Sequence, residues 1–268
     1  MTAINIIADD RAAYMVTDSA SYDFEAVVQG WNTKAKVFPR IGLAFAASGF
    51  VVNANRLKDL VERFADYESA IEAFPDLLYS FYHGPHFHRD DRDPDQDQMD
   101  VFVTGWSKRK GIAEAFKIST HAAHGVQAFE MFPATIASSM PASRSMLANA
   151  GMLTNDGRPD WRTDPVNFLT KLIQIQRQHE WPLPNTTRKG FCVGGSAELT
   201  VIDATGISQR TLIRWPDEIG EMIDPSAAPV QVSEPTTSNV DFSGLSRLQR
   251  ERMRRKVEKG TFRPRAAS

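Results

Sequence analysis

The sequence predicts an α+β protein. β-prone runs open the chain and return up to about residue 213, the two clearest helical patterns follow each other directly in the first third, and strands do not alternate one by one with helices. That order (strands, two helices, strands, helices, strands) argues for helices layered on antiparallel sheets and against a parallel βαβ sheet.

Each element follows from its local pattern. Ile4, Ile6 and Ile7 lie in a β-prone run, Asp9-Asp10-Arg11 reads as a turn, and 13–16 as the returning strand. Residues 19–32 read as a polar stretch. Val37-Phe38 and 41–47 form a second strand pair around Pro39-Arg40, closed by Ser48-Gly49. At 52–64 the period becomes helical: Leu57, Leu60, Val61 and Phe64 share one face, with Arg56, Lys58, Asp59 and Glu62 off it. A second helix is expected over 67–82, broken or restarted at Pro75. The segment 83–98, HGPHFHRDDRDPDQDQ, reads as a polar loop. Runs at 101–106 and 112–118, joined by Lys108-Arg109-Lys110, predict a hairpin. A further strand is expected in 129–137, interrupted by Pro133, and a short helix at 143–150. Asp164-Pro165 has the signature of an N-cap followed by proline in the first turn. The helix it opens carries Phe168, Leu169, Leu172, Ile173 and Ile175 to about His179, and Trp181-Pro182-Leu183-Pro184 ends it. Strands at 191–193, 199–202 and 209–213 close the pattern.

Composition bounds the function. The 268 residues carry a formal net charge of −2, so no global charge excess selects nucleic acid or membrane. The single cysteine, Cys192, forms no intrachain disulfide and suits a reducing compartment; its simplest place is a buried strand. No secretory pattern opens the chain, and no apolar run approaches the roughly 20 residues of a membrane span. The expectation is a soluble cytoplasmic protein without a membrane partner. Residues 1–224 are expected to form one domain, 225–243 a Pro/Ser/Thr-rich linker, and 244–268 a basic tail with helical propensity. The tail carries Arg247, Arg250, Arg252, Arg254, Arg255, Lys256 and Lys259. Without an aromatic platform, and interrupted by Glu251 and Glu258, it suits docking on a neighbouring subunit at least as well as nucleic acid. His83, His86 and His88 admit a metal-site reading, in its strongest form a metal-dependent amidase. The preferred reading is a charged, solvated insertion between a helix and a strand, because the loop's polarity suits a solvated segment.

The opening residues carry the chemistry. A Thr hydroxyl is a weak nucleophile that needs a base. If Met1 is removed, which a side chain as small as that of Thr2 permits, the α-amino group of Thr2 can serve, because it titrates near pH 8. Asp18 ends the second predicted strand, Lys34 follows at the next, and Ser48-Gly49 closes the strand after that. The offsets from Thr2 are 18 − 2 = 16 and 34 − 2 = 32. Together with the helix after Gly49 and the Gly-Trp hairpin at 101–118, this pattern resembles the proteasome β-subunit group of N-terminal nucleophile hydrolases, bacterial proteasome-related proteases included. The likeness spans about 2–215.

The resemblance implies a four-layer αββα sandwich of two mainly antiparallel sheets between helix layers. It implies a threonine peptidase or amidohydrolase acting through an acyl-enzyme on a peptide or protein substrate. Thr2 would be the nucleophile, Lys34 the cation that lowers its effective pKa, Asp18 the partner of Lys34, and the N–H of Ser48 or Gly49 the oxyanion donor. Lys36 rivals Lys34, and Ser138 or Ser139 could be a supporting serine. The resemblance also implies a homo-oligomeric ring, no metal and no organic cofactor; a partner unfoldase is possible but no residue specifies one. One departure favours a second reading. Gly190 and Val193 stand where the family often has Asp and Ser beside the N-terminal amine. That departure suits a non-catalytic shell or assembly protein using its basic tail.

Overall fold

A computed structural model describes residues 2–89, 97–122, 125–183 and 187–230. The chain opens with β1 (Ile4–Ala8) and β2 (Ala12–Asp18), turned by Asp9, whose Oδ1 accepts the Arg11 and Ala12 N–H groups. Next come β3 (Ala20–Tyr22), β4 (Val28–Trp31), β5 (Lys36–Phe38) and β6 (Leu43–Ala47), followed by helices α1 (Val51–Val61) and α2 (Tyr67–His83). The hairpin β7 (Asp100–Ser107) and β8 (Ile112–Ser119) leads to β9 (Phe132–Pro133) and β10 (Ile136–Ser138), then to α3 (Arg144–Asn149) and α4 (Pro165–Arg177). The described part ends with β11 (Trp181–Pro182), β12 (Lys189–Gly190), β13 (Ser196–Asp203) and β14 (Gly206–Arg214).

The result is mixed α/β with antiparallel sheets. One sheet runs β10-β1-β2-β13-β14, another β5-β6-β7-β8-β9, and β3-β4 and β11-β12 are two-stranded ribbons. Strand alternation decides which side chains meet. Ile4, Ile6 and Met15 of the first sheet share a core with Ala46, Phe102, Ala113 and Ala115 of the second. On its other face the first sheet sets Ile7, Val16, Leu199 and Ile213 against Phe168, Leu169, Leu172 and Ile173 of α4. The second sheet sets Leu43, Phe45, Val101 and Val103 against Leu57 of α1 and Phe74, Leu78 and Phe81 of α2. Among the described residues, no helix is long and apolar enough to cross a membrane.

Four expectations change. The stretch 19–32 holds the hairpin β3-β4, turned by Asp23, which accepts the Glu25 and Val27 N–H groups, with Ala26 at φ 64°. No glycine marks that turn. Helix α2 runs unbroken through Pro75, because Asp66 caps its start (Ser69 N to Oδ1, 2.8 Å) and Ala70, Phe74, Leu78 and Phe81 are buried on one face. The segment 129–137 crosses between sheets: β9 pairs with β8, and β10 with β1. Residues 191–193 are not a strand; pairing passes instead to Lys189–Gly190, and Cys192 is buried in irregular backbone. The tail 244–268 and the linker beyond Val230 lie outside the described residues.

Candidate active site

Strand β1 brings Thr2 and Ala3 to the end of β2, because Ile4 pairs with Thr17 and the Asp18 N–H donates to the Ala3 carbonyl (3.2 Å). Strand β13 flanks the other side of β2, with Ala197 opposite Asp18. At this three-strand end Asp18 is fully buried. Its Oδ1 accepts the Lys34 Nζ at 2.6 Å and the Ala3 N–H at 3.0 Å, while Oδ2 is buried without a hydrogen-bond partner. Lys34 lies just before β5 and is itself buried, so the two charges face each other out of water.

Burial dominates the electrostatics of this pair. It pushes the Asp18 carboxyl up and the Lys34 ammonium down, each opposed by the attraction of its partner. A lysine lowered in this way, next to a buried carboxylate, is an arrangement found more often at functional sites than elsewhere. Lys36, the rival, is turned away and donates to the Thr33 carbonyl (2.9 Å).

Thr2 is buried and is held through its carbonyl, which accepts the Ser139 hydroxyl at 2.6 Å. The same Ser139 oxygen accepts the Ile4 N–H at 2.8 Å, so one side chain secures both ends of the Thr2–Ile4 segment. Ser138 has different work. Its hydroxyl donates to Asn5 Oδ1 (2.7 Å) and accepts from Gln176 Nε2 (3.0 Å) in a buried network beneath β1. Ser48 and Gly49 close β6. The Ser48 N–H is spent on the Asp100 carbonyl (2.9 Å), whereas Gly49, at φ +98°, makes no backbone hydrogen bond among the described residues. Neither is hydrogen-bonded to the Thr2–Asp18–Lys34 group.

Two residues beside this group were not expected there. The Tyr22 hydroxyl hydrogen-bonds the Cys192 sulfur, burial raises both pKa values, and both feel the Asp18 charge. Tyr22 lies in the β3-β4 hairpin, which polarity alone does not reveal, and Cys192 in irregular backbone whose apolar pattern predicts a strand. A cavity of about 410 Å³ is lined by Ser19, Trp31, Thr33, Gly195, Glu198 and Arg214 among others; Thr2, Asp18, Lys34, Tyr22 and Cys192 are not in its lining.

The histidines disperse. His83 packs on Tyr79, Tyr82 and Phe129, His88 on Phe50, and the His86 carbonyl accepts the Arg56 guanidinium. Among the described residues, no group of three or more His, Cys, Asp or Glu could hold a metal ion. Comparison of the sequence with protein-family models and with curated proteins finds no match.

Proposed function

We propose that this chain is an N-terminal-threonine hydrolase that cleaves peptide or related amide bonds. The observation that carries the reading is the buried Lys34–Asp18 pair, whose carboxylate also takes the N–H of the residue after Thr2. In this reading the two five-stranded sheets are the inner layers of a four-layer αββα sandwich, supported by the way each sheet shares one core with its helices and another with its partner sheet.

The mechanism requires removal of Met1. The freed α-amine of Thr2 takes the proton of its own hydroxyl as the oxygen attacks the substrate carbonyl. Lys34 contributes a fixed positive charge that favours the alkoxide, and Asp18 keeps that charge in place. The Gly49 N–H, without a backbone partner among the described residues, is the better oxyanion donor, since that of Ser48 is committed to Asp100. Collapse of the tetrahedral intermediate passes the proton from the amine to the leaving nitrogen. Water, deprotonated by the same amine, then hydrolyses the ester on Thr2. No step in this scheme calls on a metal or an organic cofactor. A homo-oligomeric ring would enclose the sites in a chamber, and the protein would act in the cytoplasm.

A second reading, a non-catalytic shell or assembly protein of the same fold, is favoured by Gly190 and Val193. Where the resemblance expects an Asp and a Ser beside the amine, these two residues supply no polar side chain. Hydrolysis of a panel of fluorogenic peptides by the purified protein, set against Thr2→Ala and Lys34→Met, separates the two. The hydrolase reading expects turnover that both substitutions abolish. Equal signals from all three proteins would rule it out in favour of the second.

A further inference from the structure

The side chains of Arg177, the last residue of α4, and of Asp217 are each 2 % exposed. The guanidinium forms a two-pronged pair with that carboxylate (Nη1 to Oδ2 2.9 Å, Nη2 to Oδ1 2.7 Å). It also donates to the carbonyls of Val193 (2.9 Å) and Asp224 (2.6 Å), and lies 4.7 Å from the Trp215 ring centre. Asp217 Oδ2 in turn accepts the Gly195 N–H at 2.7 Å. Segment 193–195 is therefore gripped from both sides by one buried ion pair.

What this segment holds is the end of β2. The Gly194 carbonyl accepts the N–H groups of Ser19 (3.2 Å) and Ala20 (3.1 Å), the two residues after Asp18. The fit leaves no slack. A Cβ on Gly194 would lie 2.7 Å from Asp217 Oδ2 and 2.8 Å from Ile223, and one on Gly195 would strike Ser19 Oγ and the Trp31 ring.

We propose that Arg177 and Asp217 are positioning residues for the candidate active site. Through Gly194 they set the end of β2, and so hold the Asp18 carboxylate against Lys34 and the Ala3 N–H. The inference rests on the hydrolase reading for its catalytic consequence only. A buried ion pair adds little net stability compared with well-packed apolar groups, so its contribution here is orientation. The fork also requires arginine: lysine cannot make the paired contacts to a carboxylate and two carbonyls.

The test compares the wild type with Arg177→Lys and with the double variant Arg177→Met/Asp217→Leu, which leaves no orphan charge and keeps the fold measurable. Two readouts are taken. One is amide hydrogen exchange at Ser19 and Ala20 relative to β6 and β7. The other is the rate of Thr2 modification by a peptide epoxyketone across pH 6–9. The proposal expects folded variants in which Ser19 and Ala20 exchange about tenfold faster while β6 and β7 are unchanged. Thr2 modification should slow by about ten- to a hundredfold, the usual consequence of misplacing a reacting group by an ångström or less. Folded variants with wild-type exchange at Ser19 and Ala20, or with losses spread evenly over β6 and β7, would overturn it. If wild-type Thr2 is inert yet exchange at Ser19 and Ala20 responds selectively, the hydrolase reading fails and the clamp stands.

Discussion

Replacing Lys34 with methionine removes the ammonium from Asp18 while keeping most of the apolar stem. The structure sets the size of the effect. The Lys34 and Asp18 side chains are 5 % and 0 % exposed, and Asp18 would retain only backbone N–H contacts, that of Ala3 at 3.0 Å among them. Leaving one member of such a pair uncompensated costs about 3–5 kcal/mol. At about 2–4 °C per kcal/mol for a domain of this size, the melting temperature should fall by about 6–20 °C. The loss should depend on pH, with a definite sign. Burial holds the Asp18 pKa above its ordinary 3.8, and the ammonium opposes that rise. Without the ammonium the folded-state value climbs further. A carboxyl raised on folding contributes stability that is fully present below its unfolded value and is lost as pH rises through the folded one. Lys34→Met should therefore be most impaired near pH 8 and recover towards pH 5, and Lys34→Met/Asp18→Asn should lose that dependence. Urea unfolding at the two pH values, compared at constant slope, measures this directly. A deficit below about 1 kcal/mol, or one equal at both pH values, would refute the view of the pair as two desolvated charges that depend on each other.

Three further outcomes follow from particular contacts. Ser139→Ala removes the acceptor of the Ile4 N–H and the donor to the Thr2 carbonyl, so it should cost about 1–3 kcal/mol in thermal unfolding and selectively speed exchange at Ile4. Gly195→Ala places a side chain at φ +74° against Ser19 and Trp31, and its melting temperature should drop by an amount consistent with strain of about 1–3 kcal/mol or more; a neutral result would mean that the tight backbone approach there is wrong. Gln176→Leu strips Asn5 Nδ2, Ser138 and the Met140 carbonyl of their buried partner, so it should destabilise by about 2–3 kcal/mol in denaturant titration while leaving the Lys34–Asp18 pair and its pH dependence intact.

Much of the fold was legible because each element announced itself by period or punctuation. Helix α1 carried an apolar stripe at Leu57, Leu60 and Val61 and ends three residues before Phe64, α4 had an Asp-Pro start whose Asp164 does accept the Asn167 N–H, and the β7-β8 hairpin a basic turn. The failures have physical causes as well. Asp23 turns β3 into β4 without glycine, so 19–32 offered only polarity to read. Pro75 is tolerated because tertiary packing on one helix face outweighs a local penalty. The Thr2, Asp18 and Lys34 positions were legible only through the family resemblance their spacing carries, and the structure brings the Lys34 ammonium and the N–H of the residue after Thr2 to one Asp18 oxygen. The offset from Thr2 already prefers Lys34 over Lys36, and the structure sets Lys34 against Asp18 while Lys36 donates to the Thr33 carbonyl. The choice of Ser139 over Ser138 needed three dimensions: adjacent serines on a strand end point to opposite sides, one to Thr2 and the other to Gln176. Arg177 could not be read at all, because its partners Val193, Asp217 and Asp224 are distant in sequence and meet only once α4 is docked.

The most direct test of the central claim is the intact mass of the protein from its native host, before and after treatment with a peptide epoxyketone. An N-terminal-threonine hydrolase should lack Met1 and gain one covalent adduct mapped to Thr2, with no adduct on Thr2→Ala and a much slower one on Lys34→Met. A chain that keeps Met1 and gains no adduct would contradict the hydrolase reading. In that case the buried Lys34–Asp18 pair would be a structural feature of a protein with no hydrolase chemistry at Thr2.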